Sequence, residues 1–101
     1  MKVTFHEEAA AEVNEAAQYY EERAFGLGLS FLAELEEVVE QIVANPEACQ
    51  LIGHGVRRKL LRRFPYSLLY VVEPESIRVM AVAHHKRRPR YWRLLKSPHT
   101  L

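Results

Sequence analysis

Residues 81–92, AVAHHKRRPRYW, gather the side chains best suited to chemistry on a phosphate: two histidines, four cations within five positions, and two aromatics. Imidazole titrates near neutrality, so a histidine facing a cationic surface is equipped for proton transfer during phosphodiester cleavage. RNA cleavage without a metal needs a base for the 2′-hydroxyl proton, a cation for the developing phosphorane charge, and an acid for the leaving oxygen. Arginines are plentiful here, and His84, His85, Lys86, Tyr70 and Tyr91 are the available acids or bases. An obvious carboxylate base is lacking, because Glu73 and Glu75 fall in a turn at the far end of the strand. A histidine that merely fills the end of a sheet accounts for the pair equally well. Neighbours on a strand point to opposite sides, so His84 and His85 do not share a metal, and the single Cys49 supports neither a disulfide nor a cysteine-based zinc site. No metal and no cofactor are expected. Tyr91 is either a stacking platform for a base, worth about 1–3 kcal/mol, or part of a packed tail, and Trp92 reads as packing.

A strand must carry the histidines, and the C-terminal half supplies three strand-like runs: VRRKLLRRF, YSLLYVV and IRVMAVAH. Pro65 marks one turn and Glu73-Pro74-Glu75-Ser76 another, which gives an antiparallel meander. Alternation along the last run puts Ile77, Val79, Ala81 and Ala83 on one face, with Arg78, Met80, Val82 and His84 on the other. In the first run it sends Arg57, Lys59 and, absent a bulge, Arg63 one way, and Arg58 and Arg62 the other. The adjacent Leu60 and Leu61 interrupt that alternation.

Before the meander come a short strand, Val3 to Phe5, and two helical stretches. In the first, from Glu7, Ala10, Val13, Ala17 and Tyr20 mark an apolar side while Glu8, Glu12, Glu15 and Glu22 read as a solvated face. Gly26 and Gly28 break it. Phe31, Leu32, Leu35, Val38, Val39 and Ile42 then form a second stripe, closed at Asn45-Pro46. Two helices so briefly joined form an antiparallel hairpin that needs a second layer to bury its apolar side. After His85, Pro89 starts a turn or one last short helix.

The formal net charge of +1 conceals a division. Residues 1–50 hold two basic and eleven acidic side chains, net −9, whereas residues 51–101 hold twelve basic and two acidic, net +10. Such segregation points to a basic face for an anionic partner, either nucleic acid or an acidic protein segment, and an exposed strand edge would also accept an added strand. The 101 residues suit one domain, 1–101, and the 49% apolar content exceeds what a disordered chain carries. No apolar run approaches a membrane span, and the acidic start MKVTFHEEAA is unlike a secretory signal, so a cytoplasmic protein is expected.

Three stretches carry a resemblance: YYEERAFGLGLSFLAELE with its glycine break, RRKLLRRFPYSLLYVV, and VAHHKRRPRYW. Together they resemble the RelE/ParE superfamily of type II toxin-antitoxin toxins, over nearly the whole chain. The resemblance implies an α+β fold, β-α-α-β-β-β, with a two-helix hairpin on a twisted antiparallel sheet. It also implies a cognate acidic antitoxin that neutralises the toxin and contacts operator DNA on behalf of the complex. RelE-like members cut mRNA on the ribosome, and by strand position Arg57, Arg63, His84, Arg87 and Tyr91 match their functional places; His84, Arg87 and Tyr91 would be catalytic under that alternative. ParE-like members inhibit DNA gyrase. The second helix here is acidic where typical RelE is lysine-rich, and RRFPY with the glycine-broken hairpin is more similar to the ParE-type, plasmid-stabilisation branch. Gyrase inhibition is therefore the expectation, with mRNA cleavage, or an inactive module that only binds its antitoxin, as alternatives. Arg57, Lys59, Arg62, Arg63, Arg78, Lys86, Arg88 and Arg90 are the candidates for contacting target or antitoxin.

Overall fold

The computed structural model describes residues 1–86. Its elements are β1 (Lys2–Phe5), α1 (Glu7–Arg23), α2 (Leu27–Ala44), β2 (Gln50–Gly53), β3 (Val56–Leu60), β4 (Tyr66–Glu73) and β5 (Ser76–His84). The strands form one sheet in the order β1-β5-β4-β3-β2. β1 runs parallel to β5, and every other pair is antiparallel.

The expected arrangement is present, with one strand added. β2 pairs with β3 through a two-residue turn in which His54 (φ 54°) and Gly55 (φ 76°) both take left-handed backbone. That geometry matches the twist of the flanking strands and is why a tight hairpin forms there. Pro89 and the turn or helix expected after it lie outside the described residues.

The helical hairpin is held by sequence-specific means. Gly26 (φ 82°) turns the chain, and Gly28 lies so close to α1 that a Cβ would stand 2.5 Å from the Ala17 carbonyl oxygen. The Glu21 carboxylate accepts the Gly26 and Gly28 N–H groups at 2.9 and 3.0 Å, capping α2 where its own N-cap residue has no side chain to do so. α1 buries Ala9, Glu12 and Ala16, with Val13, Ala17 and Tyr20 partly covered, while Ala10 is exposed. Glu12 therefore leaves the solvated face assigned to it and joins the buried side. α2 buries Phe31, Glu34, Leu35, Val38 and Ile42.

Both helices contribute to one core, which meets Leu68, Tyr70, Ile77, Val79 and Val82 of the sheet. A smaller cluster of Val56, Leu69 and Ala81, flanked by Ile52 and Val71, occupies the other sheet face and draws all its members from strands. A bulge reverses the expected facing within β5. Leu69 pairs with Ala81 and Tyr70 with Val79, so Met80 is an extra residue. Beyond it the alternation is inverted, which brings Val82 into the helix-side core and sends Ala81 to the other face.

Candidate partner-binding surface and the His84 corner

Register decides where the cations of β3 go. Arg57 and Lys59 pair with Tyr70 and Leu68, whose side chains belong to the helix-side core, whereas Arg58 pairs with Leu69 on the other face. This is the separation that alternation implies. The Arg57 guanidinium donates from Nη1 to the carbonyl oxygens of Glu47 (3.0 Å) and Cys49 (2.7 Å). It fastens the connection from α2 into β2. The Tyr70 hydroxyl donates to the Pro46 carbonyl at 2.7 Å in the same connection, and burial, reinforced by a hydrogen bond with Cys49, pushes its phenol well above the usual range. Tyr70 is wholly buried, so it is a neutral structural group and no acid for a bound substrate. Arg58 donates to the Gln50 side-chain oxygen at 3.0 Å.

β3 ends at Leu60, and residues 61–65 form a bend that brings the chain into β4, so the interrupted alternation at Leu60 and Leu61 is the end of a strand. Its peptide groups find a partner on α2. The Glu34 carboxylate, 2% exposed, accepts the backbone N–H of Arg62 and, at 3.1 and 3.2 Å, that of Arg63. Arg63 Nε stands 3.5 Å from Glu34 Oε1 while its side chain remains 61% exposed. Lys59, Leu60 and Arg62 line a small cleft with Glu34, Glu37, Val38 and Gln41. The side chains of Lys59 and Arg62 form no ion pair among the described residues. Arg78 is paired with Glu73 at 3.2 Å.

At the end of β5 the histidines separate. His85 is exposed, and its backbone N–H donates to the Pro65 carbonyl at 2.8 Å. His84 is half-buried, accepts the Lys86 N–H on Nδ1 at 3.0 Å, and sets its ring edgewise on Tyr66, 5.1 Å between centroids. Tyr66 continues an aromatic group with Tyr20, Phe31 and Phe64. Beside Tyr66 opens a cleft lined by Glu12, Glu15, Ala16, Tyr19 and Val82. Glu12 Oε1 accepts the Val82 N–H at 2.8 Å. β1 has ended by this point, its continuation supplying only the His6 N–H to the Val79 carbonyl at 2.8 Å, so the glutamate satisfies an edge amide of β5.

Two functional groups thus escaped the sequence reading. The carboxylates in the cleft beside Tyr66 come from α1, not from the half of the chain that holds His84. Their signal was phase: Glu12 lies in register with Ala9 and Ala16, and Glu34 with Phe31, Leu35 and Val38, so each is a charged residue on an apolar stripe. Arg87, Arg88, Arg90 and Tyr91 lie outside the described residues. No described helix is long and apolar enough to cross a membrane.

Comparison with known proteins follows the same lines. A search of curated proteins returns no match. Among solved structures, a chain described as "Chromosomal ParDE TA system from P. aeruginosa" superposes with a TM-score of 0.62 and 26% sequence identity, over 83% of this chain and 95% of that one. The model of the ParE toxin of the type II toxin-antitoxin system, parDE, matches residues 3–89. That span runs from β1 through the His84 corner, so the chain belongs to the ParE toxin family of type II toxin-antitoxin systems.

Proposed function

We propose that this toxin acts by inhibiting DNA gyrase, without nucleolytic chemistry of its own, and that a cognate acidic antitoxin neutralises it by covering the basic β3–β4 surface. The observation that carries the first part is the match of residues 3–89 to the ParE toxin family, the branch that inhibits gyrase where RelE-like members cut mRNA. Tyr70, wholly buried and donating its hydroxyl to the Pro46 carbonyl, is removed from the acids available to an RNA substrate. The antitoxin reading is supported by Lys59, Arg62 and the exposed Arg63 side chain, which stand together around the bend. The similar P. aeruginosa chain is named as part of a ParDE toxin-antitoxin system, which favours the same pairing.

Purified toxin added to a DNA supercoiling reaction tests the proposal, alongside translation of a reporter mRNA. Gyrase is expected to be inhibited, the mRNA to stay intact, and His84→Ala to leave inhibition unchanged. Cleaved mRNA that becomes whole with His84→Ala would establish the ribonuclease instead.

A further inference from the structure

The bend of the helical hairpin carries an apolar surface that the fold does not use. Phe25, between α1 and α2, is 101% exposed, Leu29 70% and Leu32 38%. Leu29 and Leu32 lie one turn apart on α2, and Phe25 sits in the connection just before that helix, so all three belong to the hairpin end. Looseness does not explain this exposure. Gly28 is seated against Ala17, and Glu21 holds the amides on either side of Leu27. A rigid, protruding aromatic anchor suits a protein interface, because little ordering remains to be done on binding. The rim is acidic, with Glu22 and Glu36 exposed, and Arg23, the one Lys or Arg within the two helices, lies over the Tyr19 ring at 4.2 Å.

We propose that the hairpin end is a docking surface for the toxin's target, engaging a segment that presents apolar side chains flanked by cations, and that it is separate from the basic surface the antitoxin covers. Charge selects the occupant. An acidic antitoxin drawn to Lys59 and Arg62 is repelled by Glu22 and Glu36, so the two halves of this chain serve two partners of opposite charge. The inference rests on the gyrase reading for its choice of probe. The test compares wild type with Phe25→Ser/Leu29→Ser and with the charge-only variant Glu22→Lys/Glu36→Lys. Each is measured for binding to purified gyrase, for binding to the antitoxin encoded beside the toxin, and for self-association by sedimentation. Thermal melting checks that the fold survives these surface changes.

Affinity for gyrase is expected to fall roughly 30-fold for the apolar pair and roughly tenfold for the charge pair, with antitoxin affinity unchanged and the protein monomeric throughout. Wild-type gyrase affinity in both variants overturns the proposal. Loss of antitoxin binding, or of self-association, gives the surface to the antitoxin or to a second copy and overturns it equally. If wild type does not bind gyrase, the gyrase reading alone has failed, and growth arrest on expression without antitoxin becomes the readout. Arrest abolished with antitoxin binding intact then supports the docking surface, and arrest retained overturns it.

Discussion

Glu34 on α2 and Glu12 on α1 are both buried carboxylates that accept backbone N–H groups from the C-terminal half, yet they make two different corners. At the β3–β4 bend, Glu34 takes the amides of Arg62 and Arg63 and lies beside the Arg63 guanidinium, so its charge is answered by the segment it holds. At the end of β5, Glu12 takes the Val82 amide and shares a cleft with Glu15. The first corner buries its negative charge and presents cations outward. The second presents carboxylates beside Tyr66, the ring partner of His84. The end of β5 thus meets glutamates of α1, because α1 packs across it there. The difference shows why charge counted along a chain does not map directly onto surface: part of the acidic half is spent on the backbone of the basic half.

The comparison is broken most severely at Glu34. Glu34→Ala strands two amides in a part-buried bend and is expected to cost about 2–3 kcal/mol, read as a fall in the urea midpoint at unchanged slope. Glu12→Ala removes the acceptor of the Val82 amide, and a loss of about 1–2 kcal/mol is expected. Cations divide in a similar way. Arg57→Ala releases the Glu47 and Cys49 carbonyls and is expected to destabilise by about 1 kcal/mol, whereas Arg62→Ala leaves thermal stability unchanged and weakens antitoxin binding. Alkaline titration sharpens the contrast with a group that carries no charge at neutral pH. The Tyr70 phenol is raised above 10 in the fold, so its contribution is whole below pH 10 and is lost as pH climbs toward the folded value. Tyr70→Phe is expected to flatten that loss in a stability-versus-pH series, and by the same logic Glu12→Ala leaves it in place.

Much of this fold is written in local pattern. The Gly26-Leu27-Gly28 break, the Phe31 to Ile42 stripe and the strand-like runs after Val56 place the hairpin and meander directly. β2 was hidden because QLIG is too short and too mixed to alternate clearly, although Gly53 and Gly55 around His54 mark a turn once a partner strand is in view. The Met80 bulge has no local signature at all, since it arises from the pairing of β5 with β4, and it is what exchanges Ala81 and Val82 between faces. The candidate surface was legible to the extent that alternation separates Arg57 and Lys59 from Arg58. What each cation bonds was not, because Cys49, Glu34 and Glu73 reach them through the tertiary fold.

Amide hydrogen exchange followed residue by residue tests most directly the claim that carboxylates of the acidic half hold the backbone of the basic half. Arg62, Arg63 and Val82 should exchange as slowly as strand amides such as Leu68 and Tyr70, although Arg62 and Arg63 lie in a bend and Val82 on a strand edge. Exchange of these three at the rates of open loops, with the strand amides protected, would contradict it.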